Sequence, residues 1–188
     1  MVTVQGLLLA AGAGRRMGMP KALKRDPDGT SWLARSVGVL DEGGCTAVSV
    51  VLGASGPAGE VSLPRTDYVH CPAWEEGIGA SLACGLRHLA TTDADAALVH
   101  LVDLPDVGAV VAQRILGDTV ERGSLRRAVY DGVVGHPALI GRDHWAPLVA
   151  ELAGDRGAGA YLRRHSAQEI DCSDLATGVD VDAPDTTR

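Results

Sequence analysis

The chain has 188 residues, of which 46% are hydrophobic and 22% are charged, and its formal net charge at pH 7 is −7. This composition is typical of a globular protein, and the length favours one domain over residues 1–188. The acidic balance, with 3% aromatic residues and no Phe, argues against a nucleic acid partner. No apolar run is long enough to span a membrane, and the four cysteines form no Cys-x-x-Cys pair. We therefore expect a cytoplasmic protein with reduced thiols and without a zinc or redox site.

The first predicted element is a short apolar strand that leads into a glycine-rich, cationic loop. Leu7, Leu8 and Leu9 form a continuous apolar run, as in a strand buried on both faces. Residues 10–14 carry little side-chain bulk, so several of their backbone N–H groups could converge on a phosphate. Arg15, Arg16 and Lys21 add positive charge nearby. The pattern indicates a phosphate-binding loop; the alternative is an ordinary strand-to-helix turn with its arginines in water.

Two familiar phosphate-binding loops are excluded by their spacing. A Walker-type loop requires Gly-Lys followed by Ser or Thr, whereas Gly18 is followed by Met19 and Pro20. The dinucleotide fingerprint Gly-x-Gly-x-x-Gly begins at Gly12, but its third glycine is replaced by Met17. A nicotinamide-dependent enzyme is therefore disfavoured.

The stretch LAAGAGRRMGMPKAL, which begins at Leu9, resembles the signature Leu-Ala-Ala-Gly-x-x-x-Arg-Met-Gly-x-Pro-Lys of the MobA-like nucleotidyltransferases. This family includes molybdenum cofactor cytidylyltransferase and its guanylyltransferase relative. The resemblance implies an enzyme that transfers a nucleoside monophosphate from a nucleoside triphosphate to an acceptor and releases pyrophosphate. It implies that Lys21, Arg16 and Asp103 are catalytic. It also implies nucleotide binding by the loop residues Leu9, Ala10, Ala11, Gly12, Ala13, Gly14, Arg15, Arg16 and Lys21.

Helices and strands alternate along the rest of the chain. Hydrophobic periodicity predicts helices at 31–40, within 74–89, at 106–120, at 145–152 and up to residue 164. Strands are predicted at 47–52, Thr66–His70, 98–102 and Leu125–Tyr130. Such alternation predicts an α/β fold with a mostly parallel sheet and helices on both faces. The resemblance specifies this as a three-layer, Rossmann-like nucleotidyltransferase fold.

The stretch 74–89 contains the second candidate nucleotide-binding segment. Gly79 and Ser81 lie where its helix begins, so Ser81 either caps that helix or contacts a ligand at its N-terminus. The segment from Gly77 to Leu82 resembles the Gly-x-x-x-Ser-Leu of cytidylyltransferases, and Leu-Ala-Ala-Gly in the first loop points the same way. The resemblance therefore implies CTP as the nucleotide, with GTP, or another NTP, as the alternative.

Asp103 directly follows an apolar strand and precedes Pro105. Ligands of open α/β sheets bind at the carboxyl ends of strands, so Asp103 should face the same crevice as the glycine-rich loop. A carboxylate there suits Mg²⁺, which needs few protein ligands when it is shared with phosphates. The segment Leu-x-Asp-Leu-Pro resembles the metal-binding Asp segment of the family; the alternative is that Asp103 only forms a turn. His100, on the same strand, is predicted to be a hydrogen-bonded core residue.

The second half of the chain supplies weaker candidates. Gly135-His136-Pro137 resembles a family segment beside the acceptor, where His136 either orients a phosphate or holds the turn. Asp155 and Arg156 lie in a segment resembling the family's Gly-Asp-x-Gly-Ala and are, with His136, candidates for acceptor binding, although Asp155 is also a natural N-cap for the following helix. Near the end, the resemblance makes Asp182 a second metal ligand, with Asp180 in reserve.

The resemblance implies molybdopterin, carrying molybdenum or not, as the phosphorylated acceptor, and a molybdoenzyme or its chaperone as a protein partner. The alternative within the enzymes is a guanylyltransferase, or an NTP transferase that acts on another phosphorylated acceptor. A rival from another class is a nucleotide-binding accessory protein for molybdoenzymes that performs no catalysis. The rival predicts that the metal-binding carboxylate is missing, whereas Asp103 is present.

Overall fold

The computed structural model describes residues 2–181 and contains seven strands and five helices of the α type within that range. The strands are β1 Val4–Ala10, β2 Val48–Leu52, β3 Thr66–His70, β4 Ala96–Leu101, β5 Leu125–Tyr130, β6 Val133–Gly141 and β7 Gln168–Asp171. The helices are α1 Trp32–Glu42, α2 Ile78–Leu89, α3 Ala109–Leu116, α4 Trp145–Glu151 and α5 Gly159–Arg164.

All seven strands form one sheet in the order β3-β2-β1-β4-β6-β5-β7. β1 pairs in parallel with β2 and β4, β2 with β3, and β5 with β7, whereas β6 is antiparallel to both of its neighbours. The predicted α/β fold with a mostly parallel sheet is therefore confirmed.

Helices cover both faces of this sheet, which gives three layers. Leu8 and other residues on one face pack against α1 and α3. Leu7 and Leu9 point to the other face and pack against α2, α4 and α5. Leu7 and Leu8 have no exposed surface, because β1 lies at the centre of the sheet and is covered on both sides. This double burial explains the unbroken apolar run that predicts the strand.

The strand order reverses at β1. Strands β2 and β3 lie on one side of β1 in the sheet, whereas β4 lies on its other side. Leu9 in β1 is in register with Leu101 in β4, so the loop after β1 and Asp103 after β4 emerge side by side. This is the position at which open α/β sheets form their ligand-binding crevice.

The predicted elements differ from the structure mainly in the second half. The helix predicted at 106–120 is shorter, because Gly117, with φ of +59°, ends α3. Asp106 lies before α3 and accepts a hydrogen bond from the Thr177 N–H at 2.6 Å. β6 and β7 were not predicted as strands: β6 contains the Gly135-His136-Pro137 segment, and β7 is an edge strand of largely exposed residues. In residues 2–181, every helix is too short or too polar to traverse a membrane.

Candidate active site

A cavity of about 500 Å³ opens at the carboxyl ends of β1 and β4, which is within the size range of small-molecule and cofactor sites. We call it the loop cavity. It brings together the glycine-rich loop, the residues after β4 and the start of α2. Its lining comprises Leu9, Ala10, Ala11, Gly12, Ala13, Gly14, Arg15, Arg16, Lys21, Trp74, Glu75, Gly77, Ile78, Ser81, Leu101, Val102, Asp103 and Asp155. Every loop residue that the sequence predicts for nucleotide binding is in this set.

The loop after β1 turns tightly at Gly14, in a conformation that glycine makes possible. Gly14 has φ of +57°, and its carbonyl accepts a hydrogen bond from the Met17 N–H at 2.8 Å. A Cβ atom at Gly14 would lie only 2.1 Å from the Met19 carbonyl oxygen, so no other residue fits without moving the backbone. At Gly12, by contrast, a Cβ atom would meet nothing within 4 Å. Gly14 therefore shapes the loop, whereas Gly12 leaves open space for a ligand.

Lys21 and Asp103 form an ion pair at the floor of the loop cavity. The Lys21 ammonium donates to Asp103 Oδ2 at 2.7 Å, and the two side chains are only 14% and 16% exposed. The second carboxylate oxygen, Asp103 Oδ1, is buried and has no hydrogen-bond donor among residues 2–181. A buried carboxylate oxygen without a donor is costly, and a cation or a ligand N–H is what would satisfy it.

The charges around the loop cavity are mixed. Arg15 and Arg16 are exposed at its entrance, and Lys21 lies deeper. Glu75 and Asp155 contribute carboxylates to the lining on the α2 side. The positive charges thus cluster on the glycine-rich loop, where a polyphosphate would meet them, although the protein as a whole is acidic.

Gly79 and Ser81, the two residues near the start of α2 that were predicted to bind the nucleotide, lie in different environments. Ser81 lines the loop cavity, but it is not the N-cap, because the helix begins at Ile78 and the Ser81 hydroxyl donates back to the Gly77 carbonyl at 3.4 Å. Gly79 does not line the cavity. A Cβ atom at Gly79 would lie 2.6 Å from the Arg156 carbonyl oxygen, so this glycine permits close packing of α2 against the 154–156 turn.

Asp155 and Arg156 are adjacent in sequence but have different places. Asp155 lines the loop cavity beside Gly77, where a Cβ atom would lie 2.3 Å from the Asp155 carboxylate. It does not cap α5, whose N-cap is Ala158. Arg156 is exposed and is absent from the lining of both described cavities. The alternative role of Asp155 as an N-cap is therefore wrong.

Several lining residues were missed by sequence reasoning. Trp74 is the most informative, because its ring lies against the end of β2: a Cβ atom at Gly53 would be 2.4 Å from Trp74 Cγ. Glu75, Ile78, Leu101 and Val102 complete the set. The positions of Leu101 and Val102 follow from their adjacency to Asp103, but nothing in the pattern around Trp74 distinguishes a cavity residue from a core residue.

A second cavity of about 160 Å³ adjoins the first one, and both are lined by Leu9 and Ile78. We call it the Arg127 cavity. Most of its lining is apolar, and its polar side chains are those of Arg127 and His136. The Arg127 side chain is 10% exposed and pairs with the carboxylate of Glu169 on the neighbouring strand. Arg127 Nε is buried and has no acceptor among residues 2–181.

His136 is half-buried in the wall of the Arg127 cavity. Burial lowers its pKa from 6.5 to about 4, although the nearby Asp103 carboxylate acts in the opposite direction. At neutral pH the imidazole is therefore uncharged. His136 and Asp155, both predicted near the acceptor, thus lie on different cavities.

His100 departs from its predicted environment. It is completely buried in β4, as expected, but neither ring nitrogen has a hydrogen-bond partner among the described residues. Burial, with a smaller contribution from His136, lowers the pKa of His100 to about 3. The expectation of a hydrogen-bonded core histidine is wrong, because its apolar neighbours on the α1 and α3 side offer no acceptor.

The chain returns to Asp103 at the end of the described range. The Val181 N–H donates to the Asp103 backbone carbonyl at 3.0 Å. Asp180 is exposed. Asp182, the predicted second metal ligand, lies outside the described residues. Within residues 2–181, no group of three or more His, Cys, Asp or Glu side chains could hold a metal ion. Of the two predicted metal ligands, Asp103 is the one that lies within the described range.

The MobA-like NTP transferase domain model matches residues 6–170, which includes both cavities. The chain belongs to this family. Among its relatives, nicotine blue oxidoreductase of Paenarthrobacter nicotinovorans is 34% identical, with 95% of this chain and 92% of that protein covered. A probable molybdenum cofactor guanylyltransferase of Mycobacterium ulcerans is 29% identical, with 97% of this chain and 94% of that protein covered.

Solved structures agree with this assignment. The crystal structure of Rv0371c from Mycobacterium tuberculosis has a TM-score of 0.77 and 28% identity over 97% of this chain and 94% of that one. A complex of the same protein with manganese has a TM-score of 0.72 and 26% identity, with 96% of this chain and 94% of that one covered. The chain is thus a nucleotidyltransferase-family protein related to molybdenum cofactor guanylyltransferases, and a structural relative of it binds a divalent metal.

Proposed function

We propose that the protein transfers CMP from CTP to the phosphate of a molybdopterin-type acceptor and releases pyrophosphate, acting as one nucleotidyltransferase domain in the cytoplasm. The observation that carries the proposal is the loop cavity, where a glycine-rich cationic loop and a half-satisfied buried carboxylate meet at one edge of the sheet. Phosphoryl transfer needs positioning and charge neutralisation rather than a covalent nucleophile, and this arrangement offers both.

The residues present fit a divalent cation, and we assign Mg²⁺ to Asp103. Asp103 Oδ1, which is buried and has no donor among residues 2–181, is an oxygen ligand of the type that Mg²⁺ prefers, and the triphosphate would supply further oxygens. Asp182 remains the proposed second ligand. A bound Mg²⁺ would neutralise the charge that develops between the α-phosphate and the departing pyrophosphate.

The chain's own residues then have distinct tasks. The backbone N–H groups of the 12–15 turn, with Arg16 and Lys21, would bind the β- and γ-phosphates. Lys21 is now paired with Asp103, so nucleotide binding would replace this contact by one to phosphate and leave the carboxylate to the cation. The acceptor phosphate is already ionised and attacks the α-phosphorus in line, so no general base is required.

The choice of CTP rests on the resemblance of Leu9-Ala-Ala-Gly12 and of the segment from Gly77 to Leu82 to cytidylyltransferases. Ala11 is buried and, like Ser81, lines the loop cavity. The relationship to guanylyltransferases supports GTP equally well, so Ala11→Gly, which removes the methyl group, should weaken any preference for CTP over GTP.

The direct experiment incubates the purified protein with Mg²⁺, molybdopterin released from a molybdoenzyme, and CTP, GTP or ATP in turn. We expect pyrophosphate and a CMP-containing pterin by mass spectrometry, with CTP used several-fold faster than GTP. Faster use of GTP would replace the cytidylyltransferase by a guanylyltransferase. Pyrophosphate formed only with another phosphorylated compound would discard the pterin. NTP binding without pyrophosphate release would favour an accessory protein that binds a molybdoenzyme or its chaperone.

A second candidate, an oxidoreductase acting on an aromatic compound, is favoured by the relative of that name at 34% identity. The apolar lining of the Arg127 cavity is compatible with such a substrate. The missing dinucleotide fingerprint argues against it. Oxidation of NADH or NADPH in the presence of a conjugated dye, measured at 340 nm with and without NTP, separates this candidate from the transferase.

A further inference from the structure

We propose that the Arg127 cavity binds the ring of the acceptor, and that Arg127 selects a planar, uncharged heteroaromatic ring that carries an acceptor oxygen. This inference rests on the proposed function in one respect, because it treats the ring as part of the transferase's second substrate. Arg127 lies outside the sequence segments that were predicted to bind the acceptor.

The size and position of the cavity indicate that it takes part of a ligand. Its volume of about 160 Å³ is below the range of pockets that hold whole drug-sized molecules. It shares Leu9 and Ile78 with the loop cavity, so a ligand seated in it can extend toward the phosphate-binding loop. Leu82, Val99 and Leu162 give it apolar walls, which suit the faces of a ring.

Arg127 supplies the directional contact in these apolar walls. Its Nη2 donates to Glu169, but the buried Nε–H has no acceptor among residues 2–181. A guanidinium carries donors and no acceptor, so its complement is an oxygen or a nitrogen lone pair. A ring that places a carbonyl oxygen against Nε would satisfy this donor, whereas a ring without one would leave it unpaired.

The charge balance excludes the acceptor's phosphate from this cavity. The guanidinium is already paired with the Glu169 carboxylate, and His136 is uncharged at neutral pH because burial lowers its pKa. A dianionic phosphate among apolar side chains would lack compensating charge. The phosphate therefore belongs on the side of Lys21 and Asp103, and the uncharged ring belongs beside Arg127.

The test measures binding of pterin, a planar oxo-heteroaromatic ring without phosphate, by equilibrium dialysis. Arg127→Met keeps the apolar bulk and removes the donors, and we expect pterin affinity to fall about 10-fold or more. Arg127→Lys keeps the charge without the Nε donor and should lose a comparable factor. Thermal stabilisation by CTP with Mg²⁺ should stay at the wild-type level in both variants.

Glu169→Gln is the matched control, because it weakens the ion pair without touching the cavity lining. If Arg127 serves only to join β5 to β7, Glu169→Gln will reduce pterin binding as much as Arg127→Met, and the proposal is overturned. Wild-type affinity in a folded Arg127→Met, or dependence on Arg127 of inorganic phosphate binding instead of pterin binding, overturns it as well.

The two proposals can fail separately. If the wild-type protein transfers a nucleotide and Arg127→Met leaves the acceptor KM unchanged, the cavity assignment is wrong and the transferase stands. If no nucleotide is transferred but pterin binding depends on Arg127, the transferase is wrong and the ring site stands.

Discussion

The loop cavity and the Arg127 cavity adjoin each other but are built in opposite ways. Half of the loop cavity's lining comes from the continuous stretch 9–21, and its recognition groups are backbone amides and charges. The Arg127 cavity takes its lining from β1, α2, β4, β5, β6 and the start of α5, and most of these side chains are apolar. The proposed phosphate recognition would therefore depend on local backbone geometry, whereas the proposed ring recognition would depend on tertiary assembly.

The charged floor of the loop cavity should show the largest effect. Lys21→Ala removes the ammonium that would bind the triphosphate, and we expect kcat/KM for nucleotidyl transfer to fall by about 10³. Lys24→Ala is the matched control, because Lys24 lies 6.0 Å from the centroid of the Trp32 ring and does not line either cavity. Wild-type turnover by Lys21→Ala at saturating CTP would refute the phosphate-binding assignment.

Asp103→Asn tests the cation site at nearly constant shape. The substitution removes the negative charge from a carboxylate whose buried Oδ1 has no donor in the described part of the chain, so we expect a rate lower by about 10² and a higher Mg²⁺ concentration for half-maximal activity. Steady-state rates across a Mg²⁺ titration measure both. An unchanged Mg²⁺ dependence would move the metal to another carboxylate, and Asp180→Asn and Asp182→Asn would then identify it.

Two glycine substitutions test whether the loop acts through its backbone. Gly14→Ala places a Cβ atom 2.1 Å from the Met19 carbonyl oxygen at a positive φ, so the turn must open. We expect the KM for the nucleotide to rise about 10-fold or more, because misplaced amides bind phosphate poorly. Gly12→Ala meets nothing within 4 Å and should fold as the wild type does. Equal nucleotide affinity in wild type and Gly14→Ala would show that the amides are not used.

The last prediction concerns stability and depends on two histidines, His136 in the wall of the Arg127 cavity and His100 in the core on the α1 and α3 side of the sheet. Burial lowers their pKa values to about 4 and about 3, so the unfolded chain binds protons below pH 6.5 that the folded chain does not. The free energy of unfolding should therefore fall with decreasing pH, by about 1.4 kcal/mol per unit for each histidine. Urea unfolding between pH 7.5 and 4.5 measures the slope.

His100→Leu should remove one half of this slope. At pH 7.5 the variant should be at least as stable as the wild type, because apolar atoms replace two buried nitrogens that have no hydrogen-bond partner within residues 2–181. An identical slope in both proteins would mean that His100 accepts a proton in the folded state.

Sequence reasoning succeeded where a single segment contains the whole signal. The run Leu7-Leu8-Leu9, the small residues after it and the Leu-x-Asp-Leu-Pro segment placed β1, the loop and Asp103 at one edge of the sheet, and the structure has them there. It failed where the environment decides. Gly79 was predicted to bind the nucleotide, but packing put it against the 154–156 turn. The pattern around Asp155 suited an N-cap as well as a ligand contact, and only the structure put this residue on the loop cavity.

By itself, the sequence determined the α/β alternation, the strand buried on both faces and the glycine-rich, cationic character of the loop, because periodicity, glycine geometry and charge act over a few adjacent residues. Tertiary structure alone decided that Trp74 lines one cavity and that Arg127 lines another. It also left the ring nitrogens of His100 without hydrogen-bond partners among residues 2–181. Each of these outcomes depends on which side chains distant parts of the chain bring together, and the polarity of a buried site is the sum of those neighbours, which local pattern does not contain.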